Sequence, residues 1–217
     1  MFRLQNLILL LFAFPFLSNA QNSTRSFEIF GGTSFTSFHR SDQLPINPLS
    51  EDFLLGFEGG IRVALAKSKT YQPTLALSFF QHGASEVFES IDGQLFDTEV
   101  KFSAVKADVR LLNFKIGKGK VKFLIGAGGI VVYNLSNTFS ATPELTANFR
   151  DDLFESLNYG GQVHLGIQFG KIHLSYQAFN MMNPLSEGEN GFNTIYSRGS
   201  GITLGLMIGK PSKTDPE

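Results

Sequence analysis

The large hydrophobic residues of this chain recur at every second position over several stretches, most clearly across residues 157–169. One side of that stretch carries Leu157, Tyr159, Val163, Leu165, Ile167 and Phe169. The other side carries Asn158, Gln162, His164 and Gln168, with glycines between them. Successive side chains of a β-strand point to opposite faces, so this pattern predicts a strand whose two faces meet different surroundings.

The same two-residue period predicts further strands along the chain. Across 53–66, Phe57 and Ile61 share one face, whereas Glu58 and Arg62 share the other. The remaining candidate strands are 26–38, 71–81, 100–114, 121–133, 172–179 and 200–209. Most exceed the five or six residues usual in soluble proteins and match the roughly nine to eleven that a tilted strand needs to cross a bilayer. The sequence therefore predicts an all-β fold, an eight-stranded antiparallel up-and-down transmembrane β-barrel.

The connections between these strands alternate in length. Short links are predicted at 67–70, 115–120 and 170–171, and long polar ones at 39–52, 83–99, 135–155 and 180–197. Membrane barrels of this kind have short periplasmic turns and long external loops. Acidic residues collect in the long connections and lysines in the short ones, which predicts opposite electrostatic potentials at the two rims.

The first twenty residues have the features of a secretory signal peptide. Arg3 is followed by an apolar stretch at 7–17 and by the small-residue sequence Ser18-Asn19-Ala20. This run is too short to span a membrane as a helix, so cleavage after Ala20 is expected. The predicted organisation is a signal peptide at 1–20, an outer-membrane barrel at 21–210 and a short polar periplasmic tail at 211–217.

Composition narrows the function. The 217 residues suit one domain, the formal net charge is −1, and there is no cysteine. A near-neutral chain is not expected to bind nucleic acid, and thiolate chemistry is excluded. The histidines form no close pair at a ligand-like spacing, so neither a metal site nor a cofactor is predicted.

Several charged and polar residues fall on the predicted inner face. They are Glu58, Arg62, Lys106, Asp108, Arg110, Gln162 and His164. Side chains just fill an eight-stranded barrel, and unpaired charges inside it are costly, so these residues are interpreted as a structural interior network. A proton relay or a narrow gated pore is the functional alternative.

One motif has the residue types of an acyl-ester hydrolase. His173 and Ser175, followed by Glu187, resemble the His-x-Ser motif and later Glu of the outer-membrane lipid A deacylases. In the predicted parity, Leu174 and Tyr176 face lipid, so His173 and Ser175 point into the barrel, and Glu187 falls in an external loop. No catalytic residue is therefore assigned, because the geometry must bring the three groups together.

Four segments give the chain a family resemblance. They are the sequences at 27–32, 56–60, 80–84 and 123–128. From 27 to 209 the chain resembles the outer-membrane β-barrel family that includes the PorT-like proteins of Gram-negative bacteria. The resemblance implies location in the outer membrane, in contact with its lipid and lipopolysaccharide.

Three classes of function follow from these expectations. The first is a non-enzymatic barrel whose external loops serve envelope structure, adhesion or a secretion machine, through a protein partner outside the cell or in that machine. The second is a lipid A deacylase-like hydrolase. The third is a soluble, secreted barrel of the lipocalin type that holds a small ligand.

Overall fold

The computed structural model describes residues 27–40, 50–65, 70–89, 93–117, 119–142, 154–186 and 194–208. The predicted signal peptide and polar tail lie outside these residues. Within the described part of the chain, no helix is long and apolar enough to cross a membrane.

Eight antiparallel strands pair in chain order, and β1 pairs with β8 to close the ring. The strands are β1 Phe27–Arg40, β2 Ser50–Ala64, β3 Thr74–Glu89, β4 Leu95–Ile116, β5 Val121–Thr142, β6 Leu157–Phe169, β7 Ile172–Met181 and β8 Ile195–Ile208. The predicted eight-stranded up-and-down barrel is thereby confirmed. We call the end with the β2–β3, β4–β5 and β6–β7 connections the turn end, and the opposite end the loop end.

The side chains of the barrel wall divide as the two-residue period predicts. Val163 in the middle of β6 is 58% exposed, whereas its neighbour His164 is 1% exposed. The exposed apolar belt includes Phe57, Ile61, Leu77, Phe123, Ile125, Val163, Leu165, Leu174, Tyr176, Ile202 and Leu204. An apolar exterior around a polar interior is the reverse of a water-soluble protein and is typical of barrels surrounded by hydrocarbon.

The largest extensions beyond the predicted strand bounds are those of β3, β4 and β5. The stretch 83–99 was expected to be a loop, but β3 and β4 remain paired as far as Glu89 and Leu95. Likewise, β5 continues to Thr142 opposite Asp97. One face of this part of the sheet is buried, but it carries the polar Glu86 and Thr98 as well as Ala84 and Val100, so the two-residue period of apolar residues disappears from the sequence.

Close backbone approach explains a glycine-rich part of β5. A β-carbon on Gly128 would overlap the carbonyl oxygen of Val109 on β4. The adjacent Gly129 has open space, because the nearest atom to its β-carbon position is the Gly160 oxygen at 3.8 Å. Gly128 therefore allows the backbones of β4 and β5 to approach each other closely in the barrel wall.

This contrast gives a matched pair of substitutions. We expect Gly128→Ala to lower the free energy of unfolding by about 1–3 kcal/mol, because the backbones of β4 and β5 must separate. Gly129→Ala should change it by less than about 0.5 kcal/mol, as for an ordinary surface substitution. Denaturant unfolding of both variants measures this difference, and equal effects would contradict the close approach.

Candidate functional site

The centre of the lumen holds a buried ion pair between β2 and β4. Nζ of Lys106 lies 2.7 Å from Oε1 of Glu58, and each side chain is only 1% exposed. The Ser78 hydroxyl donates to Glu58 at 3.1 Å, and the Gln177 amide donates to its other oxygen at 2.5 Å. Lys106 also lies 4.8 Å from the centroid of the Phe80 ring. These contacts link four strands across the barrel.

A second group of charges lies nearer the turn end. Nη1 of Arg62 donates to Oε1 of Glu28 at 2.8 Å, and Nδ1 of His173 lies 3.1 Å from the same oxygen. Arg110 pairs with Asp108 at 3.2 Å. The interior of this barrel is therefore filled by charges of both signs in contact with each other.

The other two predicted interior residues are also buried. Nε2 of His164 lies 3.1 Å from Oδ1 of Asn113. Gln162 is buried on the same strand, but neither atom of its amide group has a hydrogen-bond partner among the described residues. The structure thus places all seven predicted residues inside the barrel and joins five of them in ion pairs, while their purely structural role stays a prediction.

Sequence reasoning missed the charged partner on the first strand. Glu28 lies between the outward residues Phe27 and Ile29, which is the expected alternation. Phe30 and Phe35 have opposite parity in the sequence, which obscures this alternation. In the structure Phe30 points into the lumen and Phe35 points outward, so the strand is regular and one aromatic ring is interior.

The loop end of the lumen is filled by apolar side chains. One cluster contains Phe80, Ala104, Ile130, Val132, Phe179 and Met181, and a second contains Phe38, Ala84, Val100, Phe102 and Leu185. His82 stacks between them, with its ring centroid 5.3 Å from that of Phe80 and 5.0 Å from that of Phe102. We call these two clusters with His82 the apolar plug. It separates the charged interior from the loop end.

The hydrolase motif does not form a site that faces lipid. His173 and Ser175 are both buried inside the barrel, as their parity predicts. The imidazole of His173 is hydrogen-bonded to Glu28, a residue outside the motif. Glu187 lies outside the described residues. Among the described residues there is also no group of acidic or histidine side chains that would hold a metal ion.

Beyond the ring, the loop end carries a protruding sheet formed by residues 50–53, 84–89, 95–101 and 134–142, which we call the loop-end sheet. Arg40 anchors its base through two hydrogen bonds to Glu86, at 2.6 and 2.7 Å. β5 pairs with β4 up to Thr142, but its pairing with β6 ends at Tyr133. On the other side, Asn134 donates from its backbone N–H to Ser156 at 2.8 Å and from its side chain to Glu155 at 3.1 Å, and no described strand pairs with residues 135–142.

The predicted segregation of charge can be followed only in part. Glu51, Asp97 and Glu155 are at the loop end, and Lys120 and Lys171 are at the turn end. Other acidic residues and lysines of the prediction, among them Asp42, Asp92, Glu189, Lys67 and Lys118, lie outside the described residues.

Fold and side-chain polarity define the class of this chain as a small eight-stranded up-and-down β-barrel with an apolar exterior. A similar solved structure is the outer membrane protein OprG from Pseudomonas aeruginosa, at 12% identity over 87% of this chain and 97% of that one, with a TM-score of 0.47. Neisserial surface protein A is similar at 13% identity over 84% and 97%, with a TM-score of 0.45.

A third similar structure is Ail, the attachment invasion locus protein of Yersinia pestis, solved in complex with the heparin analogue sucrose octasulfate. It shares 15% identity over 86% of this chain and 100% of that one, with a TM-score of 0.37. No protein-family model and no curated protein sequence matches the chain. The resemblance to PorT-like proteins therefore stays a prediction.

Proposed function

We propose that this chain is a non-enzymatic integral protein of a Gram-negative outer membrane and that it acts outside the membrane through its loop-end sheet. The apolar belt supports a bilayer environment, since a soluble lipocalin-type barrel would expose polar side chains instead. The apolar plug and the paired charges below it argue against an open channel.

The observation that carries this proposal is the edge of β5 over residues 134–142. Among the described residues, this segment pairs with β4 on one side, and no strand pairs with it on the other side beyond Tyr133. Such an edge presents backbone N–H and C=O groups to an extended segment of another chain. Proteins usually protect edges with lysine, proline or a bulge that turns the strand away. This segment contains no charged residue, no proline and no glycine, and its one irregularity against β4 is a bulge at Leu135, at the base of the segment.

The face beside the edge indicates the charge of the partner. Asp97 and Glu99 of β4 are exposed directly opposite Thr142 and Ser140 of β5, whereas Lys101 lies opposite Thr138 on the same face, so the acidic part of this face is the end farther from the barrel. Because these two β5 side chains are small, a lysine or arginine on an added strand reaches across them to the carboxylates. The partner proposed is therefore an extended protein segment with basic side chains.

Fractionation and protease digestion of intact cells test the location and orientation. We expect the protein to require detergent for extraction. External protease should cut the connections on the loop-end side, and the turns at 117–120 and 170–171 should be protected. Release into the aqueous periplasmic fraction, or cleavage at the turns in intact cells, would contradict the proposal.

A charged edge tests the role of β5. Thr138, Ser140 and Thr142 would be changed together to lysine, and to asparagine in a neutral control. The lysines should repel a basic partner and block strand addition. In a deletion strain with an envelope or adhesion defect, the wild type and the asparagine variant should correct that defect. The lysine variant should not. Full complementation by a lysine variant present in equal amount would count against the edge.

A further inference from the structure

A pocket opens at the turn end of the lumen, among the second group of interior charges. Glu28, Arg62, Thr74, Arg110, Lys115 and His173 are among the residues that line it. They come from β1, β2, β3, β4 and β7, so the pocket is enclosed by the barrel ring. A ligand in it would contact the lumen and not the lipid belt.

Three of the lining side chains have polar atoms that make no hydrogen bond to any described residue. These atoms are Nε and Nη2 of Arg62, Oγ1 of Thr74 and Nε2 of His173. The exposed fractions of the three residues are only 3%, 6% and 5%. Arg62 uses Nη1 for Glu28, and its guanidinium lies 4.4 Å from the centroid of the Phe30 ring. The Arg62 and Thr74 atoms are buried donors without partners, which are costly, and they favour a ligand that accepts hydrogen bonds.

The charges of the lining residues indicate the sign of that ligand. Arg62, Arg110 and Lys115 are cationic, and Glu28 is the anionic residue of the lining. Asp108 compensates Arg110, but it is not part of the lining. Arginine binds oxyanions well, because its planar set of N–H groups matches two oxygens of the same ion.

We propose that this pocket binds a small soluble oxyanion with the chemistry of inorganic phosphate. The edge of Arg62 that faces away from Glu28 supplies the main charge-assisted hydrogen bonds, and Thr74 supplies a neutral donor. The site lies at the opposite end of the barrel from the loop-end sheet. It is therefore independent of the function proposed above, and either proposal can fail without the other.

Calorimetric titration of inorganic phosphate tests the site. The chain without residues 1–20, folded in a zwitterionic detergent, would be titrated with phosphate while chloride holds the ionic strength constant. We expect saturable binding of one phosphate per chain, with competition by sulfate. Phosphate-bearing lipid added to the micelles should not compete, because lipid headgroups lie outside the ring.

Substitutions then separate the pocket from general charge. The double variant Glu28→Gln with Arg62→Gln keeps the interior charge balanced and should weaken phosphate binding at least about 10-fold. Thr74→Val should weaken it about 3-fold or more, since it loses a neutral hydrogen bond. Glu28→Gln alone removes the competing carboxylate and should tighten binding. Arg198→Gln, which removes a cation at the loop end, should leave binding unchanged.

Two results would overturn the proposal. One is the absence of saturable phosphate binding by the folded wild-type chain. The other is equal affinity in the wild type, the Thr74→Val variant and the Glu28→Gln variant. These two single variants keep the proposal open to refutation even where loss of Arg62 prevents folding.

Discussion

Replacing Val163 by arginine is expected to lower the free energy of unfolding by about 2–4 kcal/mol when the protein is folded in a phospholipid bilayer. Val163 is at the middle of β6 and is 58% exposed on the outer surface. If hydrocarbon covers that surface, the guanidinium must enter the bilayer midplane or distort the lipid around it. At an exposed site in water, the same change would cost no more than about 0.5 kcal/mol.

A second arginine serves as a depth control for this experiment. Phe169 is equally exposed but lies at the turn end of the same strand, where the bilayer interface is expected. Phe169→Arg should cost only about 0–1 kcal/mol. Reversible denaturant unfolding in vesicles measures both values. A small and equal cost at the two positions would indicate that neither side chain contacts hydrocarbon.

Breaking the central ion pair is the other large effect that we expect. Glu58→Gln leaves the ammonium group of Lys106 buried at 1% exposure beside a neutral amide. Loss of one member of a buried pair typically costs about 3–5 kcal/mol, because the remaining charge has lost its compensation. Ser78 and Gln177 still contact residue 58, but they cannot replace the lost charge.

A double-mutant cycle distinguishes the ion pair from a packing defect. Lys106→Met removes the second charge and keeps most of the side-chain volume. The double variant Glu58→Gln with Lys106→Met should therefore be more stable than Glu58→Gln alone. The unfolding free energies of the four proteins give the coupling energy. If the loss of unfolding free energy in the double variant equals the sum of the losses in the two single variants, the two groups do not compensate each other.

The barrel can be predicted from the sequence because the two faces of each strand in its wall meet different surroundings. In β6 the alternation of Val163 with His164 decides the outcome, since a shift of one residue would put the polar face toward lipid. The same reasoning placed Glu58 and Arg62 inside. These residues lie within the belt, where the contrast between the two faces is strongest.

The extension of the loop-end sheet could not be read in this way. Residues such as Ser85 and Thr138 are in paired strands, but the face next to each carries one apolar and one polar residue, Ala84 with Glu86 and Phe139 with Asn137, so the apolar alternation is broken and the stretch resembles a loop. The ends of β3 and β5 are set by cross-strand pairing, which depends on residues distant in sequence. Among the described residues, the one-sided pairing of 134–142 follows from that difference in length and is visible only in three dimensions.

The turn-end pocket was also beyond sequence reasoning. The bond between Glu28 and His173 joins residues 145 positions apart, and the closure of β1 on β8 brings them together. His173 attracted attention as part of a hydrolase motif. Its observed partner changes that interpretation, because the acidic residue beside it comes from the first strand.

A nitroxide scan along β6 tests the central claim most directly. The chain has no cysteine, so single cysteines at successive positions of 157–169 can be labelled without background. In bilayers, the account predicts that labels at Val163, Leu165 and Ile167 are accessible to oxygen and protected from a water-soluble nickel complex. Labels at Gln162 and His164 should be poorly accessible to oxygen. High nickel accessibility at the three apolar positions would show that they meet water, and the membrane barrel would be contradicted.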